Sequence, residues 1–297
     1  MNRLRALTVR SEAASAALVL GGALWGVIWL PLRFLAGFGL EGAWPGVLIY
    51  SAATLLLFPL AWLVRASLSA HWRQLILCGL LTGGAFSLYS TSLLMTDVVR
   101  AVLLFYLTPV WGTVLGLMLL GERLTLARGL ALVLGLIGLL VVLGGGDGLP
   151  LPRNLGDVLA LLSGLAWAFG TLQLYRMGAV AVSTQVFAFI LGSLIVSLAL
   201  VALGGGQFGG VPSGAMLGLA TPWALLAALY VLPMLFLTIW PATLLSPGRV
   251  GLLLMSEVVV GVASAAIWAG EPFGWRQGAG SLLILAAGAV EVLGARR

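Results

Sequence analysis

The chain has 297 residues, of which 61% are hydrophobic and 8% charged, against about 25% charged in a soluble domain, so a water-soluble globular monomer is excluded. All fifteen basic residues are arginine and the net charge is +6. Arginines gathered in loops on one side of a membrane give such a balance without a polyanion, so nucleic acid is not expected as a partner. With one cysteine, Cys78, and one histidine, His71, a disulfide framework, a redox pair and a Cys- or His-ligated metal are excluded, and no motif calls for a cofactor.

Arg3, Arg5 and Arg10 precede an apolar stretch in the manner of a signal peptide. The small residues Ala14, Ser15 and Ala16 come before that stretch rather than after it, which argues against cleavage and for a retained first span. Apolar segments of membrane-crossing length then follow one another: 13–32, 44–64, 74–96, 101–121 and 130–146, then 158–175, 186–206, 221–242, 250–270 and 278–293. With a mean hydropathy of +1.15 they occupy nearly the whole chain. A spanning helix takes roughly 20 apolar residues, and continuous runs rather than alternation favour helices over a barrel. The expected fold is an all-α integral membrane protein of ten transmembrane helices.

Arginine counts test that topology, because loops alternate sides and basic residues collect on the cytoplasmic one. With both termini cytoplasmic, that side holds Arg3, Arg5, Arg10, Arg65, Arg73, Arg123, Arg128, Arg176, Arg249, Arg296 and Arg297. The other side holds Arg33, Arg100, Arg153 and Arg276. Eleven against four would be spoiled by one helix more or fewer in the middle.

The two halves also resemble each other. At an offset of 149, residues 100–129 align with 249–278 without a gap, and eight positions coincide, including the scarce Arg100/Arg249 and Glu122/Glu271. At an offset of 142, Gly22 and Trp25 fall on Gly164 and Trp167. The Gly/Pro-rich stretch 144–152 separates five helices from five. An odd number per half inverts the second relative to the first, so residues 1–146 and 147–297 are expected to form two inverted five-helix repeats around a central cavity, as in many secondary transporters.

Leu107-Thr108-Pro109-Val110, with the following 119–125 (LLGERLT), is similar to the fourth-span pattern of the ten-helix, EamA-type branch of the drug/metabolite transporter superfamily. Met255-Ser256-Glu257-Val258-Val259 and Ala269-Gly270-Glu271-Pro272 repeat it in the ninth span. Val258 stands where that pattern has proline, so the resemblance does not itself carry a kink there. Within the family the layout, with the turn 143–149, resembles the bacterial aromatic amino acid exporters. The resemblance implies a bacterial inner-membrane protein with a cavity lined by spans one, three, four, six, eight and nine, and spans five and ten behind it.

Glu257 is the one acidic residue near the centre of a span. Facing lipid it would cost at least ~2.5 kcal/mol, so it should face a cavity or partner, as a cation or proton site or as a partner for a substrate amine. The alternative is a neutral acid bonded between helices. Helical spacing puts Gly261 and Ser264 on its face. Trp25, Trp29 and Arg33 form one stripe of the first span, and Trp167, Thr171 and Tyr175 its counterpart. The indoles suit stacking on an aromatic solute and Arg33 suits a carboxylate, although interfacial belts use the same residues. Tyr89, Tyr106 and Tyr230 carry hydroxyls that need partners in apolar surroundings, and Pro109 and Pro233 interrupt helix ladders where a gate or an exposed carbonyl would fit.

These features point to a secondary transporter exporting amino acids, foremost aromatic ones, by alternating access, with lipid as its surroundings and a monomer favoured. An exporter of hydrophobic or quaternary ammonium cations is the neighbouring alternative. No nucleotide loop and no catalytic cluster lies in the spans, which argues against ATP-driven transport and against an enzyme. A channel would be expected to show charged rings or filter loops.

Overall fold

The structure, a computed structural model, describes residues 2–96, 98–143, 151–177, 180–204, 206–268, 270 and 273–294; of 2–9, 66, 98, 99 and 143 it describes the backbone alone. Glu271, Arg296, Arg297 and the whole of 144–150 lie outside the described residues, as do the side chains of Arg3 and Arg5.

The described residues form α1 (Asn2–Trp25), α2 (Trp29–Ala36), α3 (Trp44–Leu63), α4 (Arg65–Ala70), α5 (Trp72–Met95), α6 (Val98–Phe105), α7 (Thr108–Leu119), α8 (Leu126–Leu143), α9 (Leu155–Arg176), α10 (Val182–Leu203), α11 (Gly214–Ala242), α12 (Pro247–Leu254), α13 (Ser256–Trp268) and α14 (Trp275–Gly294). Nine helical segments among them are long and apolar enough to cross a membrane, and α8 is a shorter apolar helix. The ten correspond to the ten segments read from the sequence, with α1–α2, α6–α7 and α12–α13 each forming one interrupted span. Exposed Leu55, Phe58, Leu63, Leu226, Leu282 and Leu285 turn apolar surface outward, as lipid requires.

The three interruptions have separate local causes. Pro109 has no N–H to bond Phe105, and the freed Phe105 carbonyl accepts from Thr108 Oγ1 at 2.6 Å. Between α12 and α13 no proline acts. Val258 N bonds Met255 O at 3.0 Å and Met255 N bonds Leu252 O at 3.3 Å, tight i to i−3 contacts that leave the Leu254 carbonyl free of its usual partner. In the first span, Val27 N to Leu24 O, Ile28 N to Trp25 O and Leu30 N to Val27 O make the same tightening. The interruptions after Phe105 and after Leu254 fall at the same place at an offset of 149, and so do Gly121 (φ 65°) and Gly270 (φ 69°), both in the left-handed region.

Packing relies on small residues, which let helix backbones approach. Gly138 on α8 and Gly280 on α14 face each other so closely that an added Cβ on either would lie 2.6–2.8 Å from the other's carbonyl oxygen. Gly83 faces the backbone of α10, and Ser87 bonds Ser197 at 2.7 Å, so this small-residue pair is used within the chain. The main packed pairs are α5 with α9 and α10; α1 with α11, α12 and α13; α3 with α10 and α11; α6 and α7 with α9; α7 with α12; and α8 with α14. Exchanging each span with the one five places on maps the principal pairs onto one another.

Contacts between loops sort the two faces of the bundle. Arg100 reaches Asp157 and the Leu151 carbonyl, and Ala43 N bonds Phe208 O; these ends share the Arg33 face. Arg128 reaches Glu122, Ser246 and Glu291, and Arg249 reaches Ser11; these share the opposite, Arg249 face.

Candidate functional site

A cavity of about 320 Å³ lies where the three interrupted spans meet, lined among others by Trp25, Trp29, Arg33, Tyr89, Tyr106 and Glu257. It extends from Glu257, in the first turn of α13, toward the Arg33 face through Leu93, Leu94 and Ala265. Its size falls in the range of about 300–1,000 Å³ typical of small-molecule sites.

Glu257 is half-buried and addressed by two phenols. Tyr89 Oη donates to Oε1 at 3.3 Å, and Tyr106 Oη lies 2.6 Å from Oε2 and 3.1 Å from the Leu254 carbonyl freed by the helix break. A phenol has one proton. With Glu257 ionised, both phenols donate to it. With Glu257 protonated, the acid donates to Tyr106 and Tyr106 donates to Leu254. In both forms each Glu257 oxygen keeps a phenol partner, and the Tyr106 proton turns between the carboxylate and the Leu254 carbonyl as a proton or cation is taken up and released.

The walls are aromatic and fixed. Trp25 Nε1 donates to Thr238 Oγ1 at 2.9 Å and its ring meets Phe86 edge-on at 4.4 Å. Trp29 Nε1 donates to Ser264 Oγ at 3.1 Å, and Ser264 in turn donates toward the Gly26 and Gly261 carbonyls. Tyr89 is stacked on Phe105 at 4.4 Å. Arg33, exposed at the mouth, holds its guanidinium 5.3 Å from the Trp29 ring centre. Gly26 brings the first span against the ninth: an added Cβ would sit 2.5 Å from the Glu257 carbonyl oxygen and 2.7 Å from Gly261 N.

Behind Glu257 a crevice of about 30 Å³ is lined by Trp25, Phe86, Tyr89, Phe105, Trp167 and Phe189, among others, room for about one water. The Trp167 indole N–H has no hydrogen-bond partner among the described residues. The sixth span thus reaches the site through Trp167. Thr171 is buried and bonds its own helix at Ala168. Tyr230, from the eighth span, lines a separate apolar groove behind the first span and donates to the Leu24 carbonyl. Pro109 packs on Gly251, and Pro233 is exposed. None of these last four lines the cavity. Phe105, Phe86, Thr238 and Ser256 were not singled out by the sequence. Ser256 Oγ bonds the Val19 carbonyl at 3.0 Å, tying the ninth span to the first.

Toward the Arg249 face the fourth and ninth spans are in backbone contact. An added Cβ on Gly112 would lie 2.8 Å from Pro247, on Gly248 2.8 Å from Thr113 Oγ1, and on Gly251 2.9 Å from Pro109 Cα. Arg128 pairs with Glu122 at 2.8 Å and Glu291 at 3.3 Å on this face.

A bundle of apolar helices interrupted around a central carboxylate and open to one face has the build of a membrane transporter of small molecules. Comparison with known families agrees: residues 13–144, the first five spans, match the EamA-like transporter family, the family that the motif around Pro109 and Glu122 resembles. No curated relative matches the chain. Among 28 matching solved chains, one titled "Crystal structure of protein" is 20% identical, with a TM-score of 0.70 over 99% of this chain and 98% of that one, which shows that the fold is shared over its full length.

Proposed function

We propose that the chain exports small aromatic amines, foremost aromatic amino acids, from the bacterial cytoplasm by alternating access between two inverted repeats, 1–146 and 147–297. The observation that carries this reading is Glu257, set in an aromatic-walled cavity and bonded by Tyr89 and Tyr106. An ammonium group meets the carboxylate and the faces of Trp25 and Trp29, to which cations are attracted. The apolar ring of the solute fills the remainder, and Arg33 at the mouth meets its carboxylate on the way out. The equivalent breaks after Phe105 and Leu254 and the exchangeable packing of the spans support the repeat. The arginine bias supports termini on the cytoplasmic side, which makes the present cavity outward-open.

The test is flux of labelled tryptophan, phenylalanine and leucine in proteoliposomes, with and without a pH gradient. Saturable movement of tryptophan and phenylalanine, with leucine markedly slower, is expected; equal rates for all three would count against aromatic selection. Glu257 among aromatic rings also favours hydrophobic cations. Competition by quaternary ammonium compounds stronger than that by tryptophan would give that second reading precedence.

A further inference from the structure

Arg249 lies in the first turn of α12 and is only 9% exposed. Its Nη2 donates to Ser15 Oγ at 2.9 Å and its Nη1 reaches Ser11 Oγ at 3.4 Å. Its Nε has no hydrogen-bond partner among the described residues. The nearby carboxylate of Glu291 is engaged by Arg128 at 3.3 Å. A guanidinium held in this way, with hydroxyls alone as direct partners among the described residues, has its charge balanced only at a distance, by Glu291, in a setting where a direct carboxylate partner is favoured.

The other half of the chain shows what the missing partner would be. Arg100 is the equivalent of Arg249 at an offset of 149, and Asp157 is the equivalent of Ser15 at an offset of 142. Arg100 donates from both Nε (3.1 Å) and Nη2 (2.6 Å) to Asp157 Oδ2, and Asp157 is fully buried. The same Nε/Nη2 edge of guanidinium that holds a carboxylate at the Arg33 face therefore meets, at the Arg249 face and among the described residues, a hydroxyl on one nitrogen and nothing on the other. That edge is the fork that matches a carboxylate.

We propose that Arg249 is a receptor for the carboxylate of the transported solute, engaged when the first and ninth spans part at the Arg249 face and Ser15 lets go. The proposal rests on the reading of the chain as an exporter given above. Eight residues separate Arg249 from Glu257, about 12 Å along a helix, too far for the ammonium and carboxylate of one α-amino acid to touch both at once. Arg249 therefore receives the solute first, and Glu257 takes over its amine in the central cavity. The cytoplasmic side selects for a carboxylate, the centre for an amine.

The test compares tryptophan, tryptamine, which lacks the carboxylate, and indole-3-propionate, which lacks the amine. Each is presented from the Arg249 face in proteoliposomes, and each is assayed for thermal stabilisation of the detergent-solubilised protein. In Arg249→Gln, the ratio of kcat/KM for tryptophan to that for tryptamine is expected to fall by about tenfold or more, the size of one lost charged contact. Ser15→Asp is expected to lower the same ratio while raising resistance to heat, because the new carboxylate occupies Arg249 as Asp157 occupies Arg100. Equal loss of both solutes in Arg249→Gln, or an unaltered ratio in Ser15→Asp, overturns the proposal and leaves Arg249 as a tie between the first and ninth spans. A wild-type protein that carries tryptamine and neither carboxylate overturns it too, while retaining the amine reading of Glu257. One that carries indole-3-propionate and not tryptamine, with loss in Arg249→Gln, upholds it and removes Glu257 as the amine partner. If none of the three moves or stabilises the protein, both readings fall.

Discussion

Tyr106 Oη lies 2.6 Å from Glu257 Oε2, although the residues are 151 positions apart and belong to different interrupted spans. The carboxylate is oriented from the fourth span, and the Leu254 carbonyl that the same phenol touches is available only because the ninth span is broken there. Tyr106→Phe removes this contact and keeps the ring. A hydrogen bond to a charged group contributes about 1.5–3 kcal/mol, so flux is expected to fall by about tenfold or more, with a smaller loss in Tyr89→Phe, whose bond is longer. Measuring both variants side by side in proteoliposomes checks the order, and a reversal would detach Tyr106 from the site.

Glu257→Gln keeps shape and hydrogen-bonding capacity while removing the charge and the exchangeable proton. Transport of amine-bearing solutes is expected to drop by about tenfold or more, and whatever dependence on pH the wild type shows should flatten. Flux measured at several pH values on either side of neutrality decides; a normal rate with an unchanged profile would leave Glu257 a bystander.

The ten spans and Glu257 were plain in the sequence, because length of apolar run and rarity of charge are signals that one chain carries by itself. The Trp25, Trp29 and Arg33 stripe was legible from helical spacing, and its three residues do line the cavity. The interruption at 26–28 was not, since it contains no proline and consists of a local tightening to i to i−3 bonds beside the close approach of Gly26 to the ninth span. The break at Met255 went equally unseen: Val258 in place of proline pointed away from it, yet a carbonyl with a tyrosine partner across the cavity tolerates the lost ladder bond. Phe86 and Phe105 gave no warning because helices apolar on all sides offer no hydrophobic face to read. Tyr230 shared its residue type with Tyr89 and Tyr106, but its partner is the Leu24 carbonyl, outside the cavity.

Gly26→Ala tests the contact between the first and ninth spans. The new methyl would fall 2.5 Å from the Glu257 carbonyl oxygen, whereas one on Gly261 would meet nothing closer than 3.5 Å. Overpacking of this kind costs about 1–3 kcal/mol, so Gly26→Ala should lower the unfolding temperature in detergent and Gly261→Ala should lower it much less. Equal shifts would mean that the spans part more easily than their packing implies.

Asp157 accepts from Arg100, Thr96 and the Arg153 backbone N–H. Asp157→Ala removes the acceptor these donors share beside a partly buried guanidinium, a loss of about 3–5 kcal/mol. Ser15→Ala, at the equivalent place in the other half, removes one hydroxyl contact to a charged group, worth about 1.5–3 kcal/mol. Thermal unfolding of the two variants should separate them clearly, with Asp157→Ala the less stable.

Thr113 and Gly248 lie close enough for a covalent tie, since an added Cβ on Gly248 would be 3.3 Å from Thr113 Cα. In the double variant Thr113→Cys and Gly248→Cys, oxidation is expected to form a disulfide and stop flux, with recovery on reduction. The native Cys78 is buried and does not compete. Flux that persists after complete oxidation would show that the fourth and ninth spans need not separate at this face.

At Gly26 the first span touches the Glu257 backbone with no side chain between them. There is no slack in that joint: a solute pulling on the carboxylate tugs directly on the helix that frames the mouth, and a shift of the mouth is felt at the carboxylate. Occupancy and aperture are thereby geared together through bare main chain, and a single methyl on Gly26 would jam the gear before it touched the solute.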